Sequence, residues 1–400
     1  MTEKVLVLIV GAGPSGLAVA ACLGEHGIPY HIVEREDCSA SLWRKRTYDR
    51  LKLHLAKEFC ELPRMSHPSD APKYITREQF VRYVDDYVER FNILPRYSTS
   101  VESCEYDEAS GRWDVRARDL ADGGGRVAEY TARFLVVATG ENCEGVIPDI
   151  PGLRDFPAGE VVHSSSYKSW KNYAGKRVLV VGCGNSGMEI AYDLAYNGVE
   201  TSLVIRSPVH VMTKGLIYLG MMLLKWHLPV KLVDFIILTL ANIQFGDLSR
   251  FGIVRPDMGP LLLKAKTGRS AVLDVGTTQL IKTGDIKVVG AISRIRGNTV
   301  EFEDGKERDF DSLVFATGYR STANTWLKDG GSLLDDNGMP KKKKAGPQQQ
   351  GSRPWKGGNG LYCVGLGMAG LAGISRDAVS VAADIKAAVD SMVGPPAFWF

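Results

Sequence analysis

Apolar residues along this chain fall into runs, and one arrangement of them occurs twice in nearly the same words. Near the start, "VLVLIVGAGPSGLAVAACLGEHGIPYHIVERE" opens on the continuous run Val5 to Val10 and breaks at Gly11. It resumes as a helical face with Leu17, Ala18, Ala21 and Cys22, and closes on "YHIVE". Residues 178 to 208, "VLVVGCGNSGMEIAYDLAYNGVETSLVIRSP", repeat the order. An uninterrupted apolar run, a glycine turn, a helical periodicity and a second apolar run predict strand, turn, helix, strand. Residues 4 to 34 and 176 to 206 are therefore each expected to form a βαβ unit.

The pattern between and after these units completes the plan. A helix is expected at "TREQF", where Thr76 and Gln79 have capping-box spacing, and strands follow around 98 to 137. The apolar strand "FLVVATG" ends at Gly140, and "LVFATGYRS" carries the same ending at Gly318. Short strands are expected in "KVVGAISRIRGNTVEFEDGKERDF", and a last helix from about Asp377 to Met392. Before that helix, "LYCVGLGMAGLAG" reads as a strand running into glycine-rich backbone that can approach a cofactor closely. Two units and two Ala-Thr-Gly endings predict an α/β fold of two Rossmann-like dinucleotide-binding domains, the second inserted into the first. The boundaries expected are 1–150, 151–318 and a return segment 319–400, with "ENCEGVIPDIPG" as a linker.

A different run, "GLIYLGMMLLKWHLPVKLVDFIILTLANI" at 215 to 243, is the most apolar part of the chain. A spanning helix needs about 20 mostly apolar residues in a row. Here Lys225, His227, Pro229, Lys231 and Asp234 interrupt the run. Two packed or interfacial helices are the expectation, with membrane-surface contact as the alternative.

Composition narrows the field. The 400 residues exceed one small domain at a prior of about 150 residues each, and suggest two or three. A net charge of +3 gives no reason to expect a nucleic-acid partner. The basic run Lys341 to Lys344 reads as a solvated loop. Seven scattered cysteines without a C-x-x-C pair suit a reducing compartment and offer no close dithiol. With only "MTEK" ahead of the first strand, no signal-peptide pattern is read, and a cytoplasmic location is expected. No metal-ligand pattern is read.

The two glycine sets carry the chemistry. Gly11, Gly13 and Gly16 stand at G-x-G-x-x-G spacing between strand and helix, where they permit a tight turn, close approach of a pyrophosphate and close helix packing. Glu34 lies 18 residues past Gly16, at the end of the next strand, where a carboxylate accepts from a ribose diol and repels a 2′-phosphate. The first site is thus read for FAD or NAD. Gly182, Gly184 and Gly187 repeat the spacing, but Arg206 and Ser207 stand 19 and 20 residues past Gly187. A guanidinium offers a fork of donors to a phosphate, so the second site is read for NADPH. A flavin in one domain and a nicotinamide in the other imply hydride transfer to the flavin, and the electron acceptor then sets the enzyme class.

Just before the second unit, "FPAGEVVHSSSYKSW" places Gly159, His163 and Tyr167 at G-x-x-x-H-x-x-x-Y spacing. This resembles the fingerprint of the flavin-containing monooxygenases, although Phe156 stands one residue further from Gly159 than that pattern asks. Tyr167 favours that branch over the Baeyer-Villiger monooxygenases. "SLWRKRTYDRLKLHLAKEFCELP" at 41 to 63, with "YKSW", "GNSGMEI" and "VFATGY", is similar to the plant YUCCA flavin monooxygenases over almost the whole chain. The resemblance implies FAD, NADPH and O₂ as cofactors and co-substrate. It implies oxidative decarboxylation of a 2-oxo acid, indole-3-pyruvate, to indole-3-acetic acid in auxin biosynthesis, through a flavin C4a-peroxide. It places Leu42 and Trp43 near the flavin and Asn185 and Ser186 of "GNSG" among the cofactor-binding residues. His163 and Tyr167 are its catalytic candidates. His54, in "HLAKE", stands where relatives carry Asn in an N-x-x-K-E pattern, with Lys57 and Glu58 kept, and is the third catalytic candidate, donating near the flavin or the oxo acid. Arg50 and Lys52 read as solvated or as partners for a carboxylate. N- or S-oxygenation with the same cofactors, and a catalytically silent nucleotide-binding regulator, are the competing readings.

Overall fold

The computed structural model of the chain describes residues 2–121, 125–341 and 354–392, so residues 342–344 of the basic run lie outside the described residues. The chain divides into two compact units. One comprises Met1–Lys45, Lys57–Glu144 and Tyr319–Phe400, the other Arg46–Ala56 and Gly145–Gly318. Two boundaries differ from the sequence expectation. The second unit begins at Gly145 rather than 151, and it takes in Arg46–Ala56, a stretch placed in the first domain by its position in the chain.

The first unit is built on a mixed sheet. Strands Tyr30–Val33, Thr2–Val10 and Val127–Val137 run parallel, and Val127–Val137 also pairs with Arg112–Asp119, which pairs with Thr99–Asp107, both antiparallel. Residues Val5 to Val10 are all buried, as a strand covered on both faces requires. Strand Arg112–Asp119 instead alternates buried and more exposed positions over Trp113 to Ala117. The return segment completes the unit: Leu361–Cys363 joins Val127–Val137 in parallel, and Trp326, Leu327 and Leu361 enter one core with Trp113 and Tyr130. The capping box at Thr76 forms in both directions and starts the helix Arg77–Arg90. The last helix is Gly370–Ser391, beginning seven residues before Asp377. Its early turns were hidden in glycine-rich sequence, and packing against the Pro14–Glu25 helix overrides that weak propensity.

In the second unit five strands, Ile286–Val289, Glu200–Val204, Arg177–Val181, Ser312–Phe315 and Val161–His163, form one sheet in that order, all parallel. A three-stranded antiparallel sheet covers 292–309. The apolar insertion forms Lys214–Lys225 and Val230–Phe245, which pack together, the second also against Pro260–Thr267. His227, with φ 61°, lies in the break between the first two. Among the described residues no helix is long and apolar enough to cross a membrane.

Candidate functional site

In the first unit the turn between strand Thr2–Val10 and helix Pro14–Glu25 needs each glycine for its own reason. Gly11 has φ 110°, and a Cβ there would stand 2.6 Å from the Ala138 carbonyl oxygen, so the "ATG" strand end packs directly over the turn. A Cβ on Gly16 would overlap the Gly11 carbonyl. At Gly13, the helix N-cap, a Cβ would meet nothing within 4 Å. That open face at a helix N-terminus, with unpaired amides and a positive dipole end, is suited to a pyrophosphate. Glu34 is buried at the end of the next strand, accepting from Ala12 N at 2.7 Å and Glu36 N at 2.9 Å. Burial raises its carboxyl above the ordinary carboxylate range against those two backbone bonds. Ala40 N donates to Ala12 O at 3.1 Å, which places Leu42 and Trp43 in the short helix Ser41–Lys45 just beyond the turn. The Trp43 ring packs on Phe80 at 4.6 Å. The return segment closes the same turn, since a Cβ on Gly365 would overlap Ser15 Oγ.

The second unit repeats the geometry. Gly182 has φ 110° and would stand 2.6 Å from Ala316 O, Gly187 would overlap the Gly182 carbonyl, and Gly184 opens onto empty space. Strand register corrects one expectation. Gly11 N donates to Val33 O and Gly182 N to Val204 O, so the residue matching Glu34 is Ile205, and Arg206 stands one place further out. The carboxylate position of the first unit is thus held by an apolar side chain in the second. Arg206 and Ser207 are exposed, and Arg206 makes no hydrogen bond or ion pair among the described residues.

His54 lies in the second unit with Arg46–Ala56, beside the helix Asn185–Tyr196. Its Nδ1 is 3.3 Å from Asn185 Nδ2, and its Nε2 is 3.5 Å from Glu189 Oε1. Asn185 Oδ1 accepts from Leu273 N at 2.8 Å. Ser186, in the same first turn, hydrogen-bonds Tyr48. Glu189 is buried, and burial pushes its carboxyl up. The nearby His54 ring, a hydrogen bond from Tyr48 and the charge of Lys214 outweigh that and hold it below the ordinary value. Lys214 is driven down by burial and held up in part by Glu189, while Lys52 and Arg50 push it further down. Arg50 lies over the Tyr192 ring at 4.3 Å, 3.9 Å from Asp193. Sequence reasoning missed Glu189. The available signal was a carboxylate two residues past the last fingerprint glycine, where the first copy has Ala18.

The two remaining catalytic candidates, His163 and Tyr167, lie against backbone and core groups of the second unit. His163 Nε2 is 3.0 Å from the Gly318 carbonyl, and Nδ1 accepts from Ser165 N at 3.2 Å. Burial lowers the ring's pKa against that carbonyl bond, favouring the neutral form. His163 thus fastens the "ATG" end of strand Ser312–Phe315. Tyr167 is fully buried, stacked on Tyr173, and donates to Asp193 Oδ2 at 2.5 Å; burial and Asp193 drive its hydroxyl far up. Gly159, with φ 82°, makes the turn into strand Val161–His163, and Phe156 is a core residue beside Leu179 and Phe315.

Known proteins share this plan. Residues 8–214 match the family described as Pyridine nucleotide-disulphide oxidoreductase. The chain is 49% identical over 384 residues to the Arabidopsis thaliana protein named probable indole-3-pyruvate monooxygenase YUCCA10, covering 96% of this chain and 97% of that one. It is also 49% identical to indole-3-pyruvate monooxygenase YUCCA1 of Oryza sativa subsp. japonica, over 94% of this chain and 90% of the other. Among solved structures, a flavin-containing monooxygenase from Stenotrophomonas maltophilia superposes with a TM-score of 0.71 at 21% identity, covering 97% of this chain and all of that one.

Proposed function

The chain belongs to the pyridine nucleotide-disulphide oxidoreductase family and, within it, to the YUCCA flavin monooxygenases, and from that premise we propose that it holds FAD in its first unit and NADPH in its second and oxidatively decarboxylates indole-3-pyruvate to indole-3-acetic acid. The balanced reaction consumes one O₂, one NADPH and one proton and releases CO₂, water and NADP⁺. Bound together, the two cofactors supply hydride transfer to the flavin and activation of O₂ for insertion of one oxygen atom into the substrate. The chain's own part is to bind and orient. Gly13 and the N-terminus of Pro14–Glu25 receive the FAD pyrophosphate, and Glu34 accepts from its ribose diol. Leu42 and Trp43 lie on the flavin side of that turn. Gly184 and the N-terminus of Asn185–Tyr196 receive the NADPH pyrophosphate, with Arg206 and Ser207 on the 2′-phosphate. His163 and Tyr167 set the frame of the second unit rather than touch reacting atoms.

The observation that carries this reading is the pairing of two equal turns with unequal ends, a buried carboxylate after one and an exposed guanidinium after the other. The cysteines favour O₂ over a disulfide as acceptor. All seven are free, and burial pushes Cys22 up to about 11 and Cys60, Cys183 and Cys363 up to about 12, the reverse of a thiol tuned for exchange. Seven free thiols also support a cytoplasmic location. The test is anaerobic reduction by NADPH, then exposure to O₂ with indole-3-pyruvate, phenylpyruvate or a tertiary amine. Indole-3-acetic acid is the expected product. Oxygenation of the amine with neither oxo acid decarboxylated would establish the N-oxygenating alternative.

A further inference from the structure

Three polar side chains of the second unit, Asn185, His54 and Glu189, form a line whose hydrogen positions follow from one fixed end. Leu273 N faces Asn185 Oδ1 at 2.8 Å, and a backbone N–H can only donate. The amide oxygen of Asn185 is thereby committed to Leu273, and its Nδ2 to His54 Nδ1 at 3.3 Å. Nδ2 is only a donor, so Nδ1 is the acceptor and the ring proton of a neutral imidazole sits on Nε2. Nε2 is buried and has no hydrogen bond of ordinary length; the acceptor it faces is Glu189 Oε1 at 3.5 Å. With one nitrogen accepting and the other donating, His54 has no polar atom left for a flavin or an oxo acid. One hydrogen on Asn185 Nδ2 remains, at the first residue of a helix whose N-cap, Gly184, opens onto empty space. The first unit has Pro14 and Ala18 at the positions of Asn185 and Glu189, and nothing equivalent.

We propose that Glu189 is a positioning residue: by holding His54 with its proton on Nε2, it fixes the Asn185 amide so that the remaining Nδ2–H donates to a pyrophosphate oxygen of the dinucleotide seated on Gly184. The proposal rests on the reading of the second unit as the NADPH site. A donor fixed in advance lowers the ordering cost of binding. That matters for a reductant exchanged in every turnover and not for a resident cofactor, which accounts for the device appearing in one unit only.

The test uses the full chain loaded with FAD. Nitrogen-15 NMR of the labelled histidines reads the tautomer of His54 directly in the wild type, and the Nε2–H form is expected. Titration of the flavin spectrum with NADP⁺ reads affinity. Glu189→Leu is expected to weaken NADP⁺ about tenfold, the scale of one lost hydrogen bond to a charged group, with FAD content unchanged. Glu189→Gln, which still presents an acceptor, is expected to recover most of that affinity. Should Glu189→Leu fail to fold, His54→Leu, at a half-buried position, interrupts the same line and carries the same expected loss. A wild-type Nδ1–H tautomer, or unchanged affinity in the folded variants, overturns the relay while leaving the NADPH reading intact. Absence of NADP⁺ binding by the wild type overturns both.

Discussion

The turn at Gly11 and the turn at Gly182 have the same backbone, with φ 110° at each and the same 2.6 Å approach of a Cβ to the carbonyl of the covering strand end. Their surroundings differ at every side chain that chooses a ligand. Where the first has Pro14, Ala18 and Glu34, the second has Asn185, Glu189 and Ile205, with Arg206 one place beyond. Phosphate approach is a backbone requirement common to any dinucleotide, so it fixes the glycines in both places. Identity and exchange of the nucleotide are side-chain matters, so those positions are free to diverge. A buried Glu34 tied to Ala12 suits a cofactor that stays, and an exposed Arg206 suits one that comes and goes.

The comparison breaks most severely at the third glycine. Gly16→Ala and Gly187→Ala each drive a methyl into the carbonyl of the turn, at a cost of about 3 kcal/mol or more. Gly16→Ala is expected to purify without flavin colour. Gly187→Ala is expected to stay yellow and fail to oxidise NADPH, and loss of flavin from both variants would undo the assignment of one cofactor to each unit. The second glycine gives a smaller, cleaner effect. Gly13 and Gly184 have ordinary φ of −74° and −87° and open surroundings, so alanine there is expected to change stability by less than about 1 kcal/mol. Binding at the altered turn should weaken by about 10- to 100-fold, as a methyl obstructs the pyrophosphate; dialysis against FAD and NADP⁺ titration separate the two turns.

Arg206→Ala sharpens the contrast at the strand ends. It is expected to raise KM for NADPH by about tenfold or more while leaving NADH within about twofold, the worth of a charge-assisted hydrogen bond to phosphate. Equal losses for both nucleotides would remove the phosphate from Arg206. The smallest effect is on pH dependence and has opposite signs in the two units. Glu34 is raised above its ordinary 4.5, so its stabilising contribution is full below that value and is lost as pH rises through the folded value. Glu189 is lowered, so its contribution is present above 4.5 and is lost as pH falls through the folded value. Urea midpoints at pH 7 and pH 4 should show Glu34→Gln comparatively most stable at pH 7 and Glu189→Gln comparatively least stable there, each by about 1 kcal/mol. A common sign would refute the pair.

Much of this was legible in the residues. The βαβ units, the capping box of Thr76 and Gln79, the matched "ATG" strand ends and the helical pair after Lys214 follow from short-range patterns, and each formed where the pattern placed it. The geometry of the two turns was legible at the glycines and at Glu34. It was less so at Arg206, because spacing counted from a glycine does not reveal the strand register that puts Ile205 opposite Glu34. His163 and Tyr167 stood at the spacing of a catalytic fingerprint, and that spacing carries no information about burial. The partners that occupy them, Gly318 and Asp193, lie 155 and 26 residues away.

By itself the sequence determined the two turns, their strands and helices, and the sign of the charge that follows each, because these depend on residues within about one supersecondary unit of each other. Only the tertiary structure decided that Arg46–Ala56 joins the second unit, that Leu361–Cys363 and Gly365 return to close the first turn, and that His54 lies between Asn185 and Glu189. Those assignments depend on which groups are brought together from more than a hundred residues apart and what they displace from water, a competition decided by the packed whole and invisible to any local window.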